Sequence, residues 1–534
     1  MQEFDFIIVG AGSAGCVLAD RLSRSGQFSV AVVEAGGSDA RFYIKLPIGY
    51  GRTYFDESIN WKFTAQPDPG MNNRAAYWPR GKVLGGSSSI NALVYCRGLP
   101  HDFEDWALPG WSWEEVKRAY HELETRVAPD GTTLGTGPLF VSDVSDRAHP
   151  IKRNYLDAGR AIGLAETDDF NGANPEGIGI YQITTRRGMR WSAASAFLRP
   201  ALKRPNVTLI KNELVQHLTF EGTRATGIQL ASGKTLTAKR EVILSAGSIG
   251  SVQILQRSGI GPSALLQSLG IQTRIDNPNV GGNLQDHLGI NYYYKSRVPT
   301  LNNRLAPWWG KLLCGIQYVL TRRGPLSLSV NQCGGFVRSM PGAGRADTQL
   351  YFNPATYTTA PEGSRPIINP DPFAGFLISF QPSRPTSRGR VDITSPAIDA
   401  APAINPNSLS TEQDIAEVIA GARLVQKMME AKPLADIAIA PHGPTPAAMD
   451  DEALIADFRT RGGTVFHPVS TCRMAASAET GVTDARARVF GAEGLRVVDA
   501  SAMPNLTSGN TNAPTIMLAW RASDLILQDN EAHP

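Results

Sequence analysis

The sequence predicts an α/β dinucleotide-binding domain joined to an α+β domain built on an antiparallel sheet. Three observations carry that reading. Residues 4–22 run from a short apolar strand through a glycine-rich turn into a helical apolar face. Residues 241–256 repeat the logic: Val242, Ile243 and Leu244 lead to Ala246 and Gly247 before a short helical stretch. From about residue 290 to 480 the texture changes, and strand-like pieces alternate with Pro-rich loops and a helical segment.

The opening unit is the most informative. Phe4, Phe6, Ile7, Ile8 and Val9 read as a buried strand, and Gly10, Gly12 and Gly15 follow in G-x-G-x-x-G spacing. Gly10 permits a tight turn, Gly12 lets backbone approach a pyrophosphate, and Gly15 lets helix pack on strand. Ser13 and Ala14 complete the turn, so the phosphates meet a helix N-terminus, where free N–H groups and the dipole favour anions. A second apolar strand, Val30 to Val33, ends at Glu34, 24 residues after Gly10, with Ala35 beside it. An acid there accepts hydrogen bonds from ribose hydroxyls and repels a 2′-phosphate. The unit is Rossmann-like, and by itself it serves NAD and FAD equally.

Length and composition set the outer limits. The 534 residues, 42% hydrophobic and 19% charged, are ample for two domains. A net charge of +3 without a sustained basic run gives nucleic-acid binding no support. Cys16, Cys96, Cys314, Cys333 and Cys472 are scattered, odd in number and form no C-x-x-C, so neither a disulfide framework nor a metal site is expected. A reducing, cytoplasmic setting fits that usage. No apolar run reaches the roughly 18 residues of a membrane span, which leaves peripheral association open. The three residues before the first strand are too few for the start of a signal peptide.

Residues 40–79 lack periodicity and read as a surface excursion. The segment with Arg80, Val83, Gly85, Ser87 and Asn91 is dominated by glycine and small hydroxyl residues, suited to backbone lying against a bulky flat ligand. It runs directly into the apolar Ala92, Leu93, Val94 and Tyr95. Amphipathic helices are predicted over 113–125 and 150–162, the second with Pro150 in its first turn. Residues 207–210, 213–215 and 226–230 alternate like antiparallel strands, with turns at Gly222 and Gly233. The turn-rich 277–287 stretch closes this part. Further strands are expected at 291–294, 348–352, 376–380 and 389–393, and a helix over 411–430 capped by Ser410 or Thr411. Such a sheet makes a wall for a pocket at a domain interface.

The stretch around His467 is concentrated and unusual. A lone histidine is more often core or surface, but here the following chain adds chemistry. A strand from Leu495 ends at Asp499 and Ala500, residues 504–512 are dense in amides and hydroxyls, and a helix opens at Ala513 with Pro514 in its first turn. A positive helix end held against a redox ring stabilises the negative charge of a reduced flavin, whereas a nicotinamide gains none on reduction. That favours FAD.

Four motifs in this order and spacing (the opening unit, residues 80–91, residues 246–262, and His467 with 499–514) resemble the glucose–methanol–choline flavoprotein oxidoreductases, over nearly the whole chain. The resemblance implies an FAD-binding domain assembled from 1–100, 190–290 and 485–534, and a substrate domain from 101–189 and 291–484. It places Gly10, Gly12 and Gly15 on the pyrophosphate, Glu34 on the ribose and Val215 on the adenine. Residues 85–94 would follow the isoalloxazine, and Asp499 with Ala500 the ribityl chain. His467 matches the family's catalytic histidine, and the second catalytic position falls on Asn512. Where some relatives attach FAD through a histidine this chain has Ile90, so FAD is expected to be non-covalent.

The implied activity is alcohol oxidation. His467 takes the hydroxyl proton as hydride leaves the carbon for the flavin, and Asn512 hydrogen-bonds the oxygen. The texture is similar to bacterial choline and primary-alcohol dehydrogenases, which implies a quinone or dye acceptor. An oxidase forming peroxide from O2 and a cyanohydrin lyase with structural FAD are the alternatives. For the substrate, Trp308, Trp309, Tyr351 and Phe352 offer a cage for a quaternary ammonium or, equally, core.

Overall fold

The last four residues of the opening strand Gln2–Val9, Phe6 to Val9, are apolar without interruption because they are covered on both faces. Phe6 and Ile8 pack with Cys16, Val17 and Leu18 of the helix Ser13–Ser23, while Ile7 and Val9 pack on the other side with Val33, Val242 and Leu244. Successive side chains of a strand alternate between faces, so a doubly covered strand reads as one apolar run. Each such side chain contributes roughly 1.5–3 kcal/mol on burial. The computed structural model describes residues 2–359 and 368–531.

Around that strand lies a seven-stranded sheet in the order Val207–Lys211, Val30–Glu34, Gln2–Val9, Thr235–Leu244, Arg224–Leu230, Val215–Glu221. Leu495–Val497 lies along the C-terminal end of Thr235–Leu244. The first four strands and Leu495–Val497 are mutually parallel, and only the 215–244 meander is antiparallel. This corrects one expectation: Val207–Lys211 is not part of the antiparallel group but pairs in parallel with Val30–Glu34. Alternation reports which face of a strand is buried; it carries no information about the neighbour. The 40–79 excursion holds short helices at Phe42–Lys45 and Tyr50–Thr53 and a small ladder of Phe63–Thr64 with Tyr77–Trp78.

The second sheet is antiparallel throughout. Its order is Ala438–Pro441, Leu288–Ser296, Gly375–Pro382, Thr348–Asn353, Cys333–Val337, Gly177–Ile180, with Gly463–Thr464 beside the start of Leu288–Ser296. The helix Glu412–Glu430 covers it, capped by the Thr411 hydroxyl, which accepts from the Asp414 N–H at 3.3 Å. Val418, Ala422 and Val425 pack on Tyr292, Phe376 and Phe380. The other two expected helices form as Trp113–Leu123 and Lys152–Ala161, the second starting after Pro150 rather than containing it. All five cysteines are buried and unbridged.

Candidate active site

Two segments cross where the sheets meet. Gln285 and Val469 exchange backbone hydrogen bonds at 3.3 and 3.0 Å, the Val465 N–H donates to His287 C=O at 3.0 Å, and Leu288 pairs with Thr464. This ladder turns His287 and His467 toward each other. Asp286, between them in the crossing, accepts from the His467 N–H at 2.7 Å and from the Thr464 hydroxyl. Arg80 donates to Phe466 C=O at 2.7 Å. Phe466 and Ser470 have φ of +72° and +71°, conformations costing roughly 1–3 kcal/mol each that persist only where neighbours over-determine them. Arg80 on the Phe466 carbonyl and Ala500 C=O on the Ser470 N–H, at 3.2 Å, supply that constraint.

The polar contacts around His467 have one self-consistent direction. His287 is fully buried, and its Nε2 lies 2.7 Å from the Ser383 carbonyl, which can only accept. Nε2 therefore carries the proton, and Nδ1 of His287 is an acceptor. His467 Nδ1, 3.0 Å away, donates to it. The remaining ring nitrogen, His467 Nε2, is then unprotonated and faces the Asn510 Nδ2 amide at 3.2 Å. Asn510 is fixed in this orientation because its Oδ1 accepts from the Tyr351 hydroxyl at 3.0 Å. Burial pushes the Tyr351 phenol up, so it remains a donor. Burial, then His287 and then Arg80 hold the His467 imidazole well below its usual range, and burial brings His287 down to about 4. Burial also raises Asp286 to about 7 and lowers Arg80 to about 10.

Asn510 reaches this position through Gly509, whose φ is +83° and where a Cβ would stand 2.8 Å from the Phe336 ring. Ser508, one residue earlier, is anchored to both carboxylate oxygens of Asp102 at 2.7 and 2.9 Å. Asn512, expected at the second catalytic position, is elsewhere: its Oδ1 accepts from the Ser13 hydroxyl at 2.8 Å. The two amides are neighbours in a turn that directs them differently, which spacing along the chain cannot reveal. Asn512 instead ties the helix Asn512–Glu531 to the glycine-rich turn.

That turn has the geometry of a phosphate cradle. Gly10 has φ +102°, and a Cβ on Gly15 would stand 1.8 Å from Gly10 C=O, so strand and helix touch through backbone. A Cβ on Gly12 would meet only Ser245 C=O, at 3.8 Å, which leaves open space before the helix. The Ser13–Ser23 helix has no side-chain cap and no acid in its first turn, leaving its N–H groups available. Glu34 is buried at the end of its strand, accepting from the Ala11 and Gly36 N–H groups at 2.8 and 2.7 Å, and burial raises it to about 7. Gly85 N–H donates to Ala11 C=O at 2.7 Å, bringing the segment with Val83, Gly85 and Ser87 onto the same turn.

The other expected contacts have varied bonding of their own. Asn91 Oδ1 accepts from the Leu93 N–H and from Arg190, a fully buried arginine that also holds Ile44, Ser88 and Asn91 carbonyls. Leu93 sits at φ +72°, with Ala92 and Val94 on either side. Val215 is buried at the start of its strand. Ala246 and Gly247 open the helix Gly247–Arg257, and the Gly247 N–H donates to Asp499 at 2.8 Å. The Asp499 carboxylate is fully engaged, also binding Ser251 and the N–H and hydroxyl of Ser501, so it fastens Ala500 and its turn to the sheet rather than offering a free oxygen to a ligand. Ala513 and Pro514 lie in the first turn after Asn512. Of the aromatic residues considered for a cage, Phe352 is core, Trp308 and Trp309 face outward, and only Tyr351 reaches the centre. His287, Asp286, Arg190 and Asn510 were not singled out by the sequence. The signal available for them was modest: two histidines, each in a turn-rich stretch.

Two family profiles, both described as GMC oxidoreductase, match residues 4–289 and 385–519. The chain belongs to the GMC oxidoreductase family. It is 38% identical over 536 residues to the alcohol dehydrogenase (acceptor) of Pseudomonas putida, covering 98% of this chain and 96% of the relative. It is 38% identical over 543 residues to the oxygen-dependent choline dehydrogenase of Vibrio vulnificus, covering 100% and 96%. Among solved structures, the pyridoxine 4-oxidase from Mesorbium loti matches with a TM-score of 0.85 at 29% identity, over 99% of this chain and 100% of that one. A formate oxidase matches in fold with a TM-score of 0.90 at 24% identity, over 99% of both chains. As a GMC oxidoreductase the protein is an FAD-dependent enzyme, and the uncapped helix, the open space at Gly12 and the buried Glu34 fit that cofactor. Ile90 offers no nucleophile for covalent attachment.

Proposed function

We propose that this GMC oxidoreductase oxidises an alcohol at its CH–OH carbon to an aldehyde or ketone and passes the electrons to a quinone or similar carrier. The names of its dehydrogenase relatives support the reaction class. The observation that carries the reading is the hydrogen-bond direction around His467, which leaves an unprotonated Nε2 beside an amide N–H.

When bound, FAD supplies the hydride acceptor. The chain's own residues handle the proton and the oxygen. An alcohol O–H placed between His467 and Asn510 donates to Nε2, which takes the proton as alkoxide character develops, and positioned general bases contribute roughly 10²–10⁴-fold. Asn510 Nδ2–H turns from Nε2 to the substrate oxygen, a donor of the kind worth roughly 2.7–4 kcal/mol at the transition state. His467 keeps its Nδ1–H on His287 throughout, so the imidazolium formed is held in place. Asn510 thus takes the role first expected of Asn512, and Asn512 with Ser13 closes the cradle. Gly10, Gly12, Ser13, Ala14, Gly15, Glu34, Ala35 and the 80–94 segment line the cofactor in this reading. Val215, Ala246, Gly247, Asp499, Ala500, Ala513 and Pro514 complete that lining. The FAD-binding domain in this reading takes 1–100, 190–290 and 485–534, with Phe103, Trp106, Trp111, Val116 and Tyr120 of the 101–189 segment packed into its core.

The test is His467→Ala. It should retain yellow FAD and lose about 10²–10⁴-fold in anaerobic flavin reduction by alcohol; reduction at wild-type speed defeats the assignment. Anaerobic bleaching by alcohols also separates this reading from cyanohydrin cleavage, and peroxide release on aerobic turnover would mark an oxidase.

A further inference from the structure

The helix Trp308–Thr321 is inverted with respect to ordinary surface helices. It rests on the protein through Gly310, Cys314 and Tyr318, spaced one turn apart. At 100° per residue the opposite side is formed by Trp308, Trp309, Leu312, Leu313, Ile316, Val319 and Leu320, and all seven are exposed, Trp308 to 76% and Leu320 to 78%. Twelve large hydrophobic residues are exposed among those described, and these seven, from one short helix, are the majority. Scattered exposed apolar residues need no explanation, but a contiguous apolar face does.

The charges that the helix and its flanking chain carry have one sign. From residue 287 to 346 the chain contains no Asp or Glu. Arg304 before the helix, Lys311 on its flank and Arg322 and Arg323 after it are exposed, and none of them has a carboxylate partner among the described residues. Two such surfaces brought together in a dimer would oppose like charges with no counter-ion. An anionic lipid surface supplies both missing partners, acyl chain for the apolar face and phosphate for the basic rim, and indole rings favour that boundary. Fourteen residues make a helix of about 21 Å, which lies in the interface rather than spanning it. No helix among the described residues is long and apolar enough to cross a membrane.

We propose that the Trp308–Thr321 helix seats this protein on anionic membrane surfaces, its outward face entering the headgroup–acyl boundary and its basic rim on the lipid phosphates. This does not depend on the proposed reaction. The test uses the full-length holoprotein with vesicles of phosphatidylcholine, alone or with a minority of phosphatidylglycerol. The wild type should sediment with the mixed vesicles and be released by salt. A Leu312→Ser/Ile316→Ser/Leu320→Ser variant should bind at least about tenfold more weakly while keeping wild-type circular dichroism and dye-coupled turnover. Wild-type protein left in the supernatant with mixed vesicles at low salt overturns the proposal, as does a triple variant that binds equally well. A wild-type dimer by light scattering that the triple variant turns into a monomer also overturns it, because a second copy then covers the face.

Discussion

His287 does not face the substrate directly, yet its replacement should slow the reaction through the proton on His467. In His287→Leu the His467 Nδ1–H loses its acceptor, 3.0 Å away, in a fully buried setting. An unsatisfied buried donor costs roughly 1–3 kcal/mol. Once a bound alcohol has drawn the Asn510 amide away from Nε2, the ring avoids this by moving its proton to Nε2, the nitrogen that must act as base, where the alcohol oxygen accepts it. Regaining the reactive tautomer then costs that same roughly 1–3 kcal/mol, a roughly 5- to 150-fold slower flavin reduction. In His287→Asn the Oδ1 atom stands close to the position of the lost Nδ1 and accepts from His467, so most of the rate should return. The assay is anaerobic stopped-flow reduction by a saturating alcohol. It is paired with 15N spectra of histidine-labelled protein, in which only eight histidines contribute. With a non-reacting alcohol analogue bound, those spectra should show His467 protonated at Nδ1 in the wild type and at Nε2 in His287→Leu. Wild-type reduction by His287→Leu, or a wild-type His467 protonated at Nε2, refutes the reasoning.

The two asparagines should separate cleanly: Asn510→Ala should slow flavin reduction about 10²–10³-fold with FAD retained, whereas Asn512→Ala, measured by the same transient kinetics and by flavin absorbance, should chiefly weaken cofactor retention. Gly15→Ala places a methyl 1.8 Å from Gly10 C=O and should cost roughly 1–3 kcal/mol in the cradle, read as a fall in the flavin-to-protein absorbance ratio of the purified enzyme. Burial and the neighbouring Arg80 and His287 depress the His467 pKa, so the acid limb of kcat/KM should lie below pH 6.5. His287, lowered from 6.5 to about 4, takes up a proton in the unfolded chain first as pH falls. It therefore costs stability below pH 6.5, up to about 3 kcal/mol once pH reaches 4. The wild-type melting temperature should accordingly fall more steeply across that window than that of His287→Leu.

Much of this architecture was legible because some residues have few other uses. A strand stretch covered on both faces must be apolar, a turn in which a Cβ would stand 1.8 Å from a carbonyl oxygen must hold glycine at Gly15, and Glu34 marks the end of the second strand. Those constraints are local, and the chain states them locally. What failed was relational. Val207–Lys211 shows its buried face but not its partner, and Asn510 and Asn512 differ only in which way a turn directs them. His287 was invisible as a site residue because its role depends on a crossing with residues 463–469. The positive φ values of Phe466 and Ser470 leave no mark in the residue types.

The Ser13–Asn512 hydrogen bond joins residues 499 positions apart, and the parallel sheet likewise takes strands from residues 2–9, 235–244 and 495–497. At ribosomal speeds of about 5–20 residues per second, the glycine-rich turn exists for roughly half a minute or more before its closing asparagine is made. During that wait the central strand Thr235–Leu244 has an open edge where Leu495–Val497 will pair. The nascent enzyme is thus exposed to misassociation from the completion of that strand until Leu495–Val497 is made, nearly half of its synthesis. The arrival of Leu495–Val497 and then Asn512, among the last residues made, is the event that seals it.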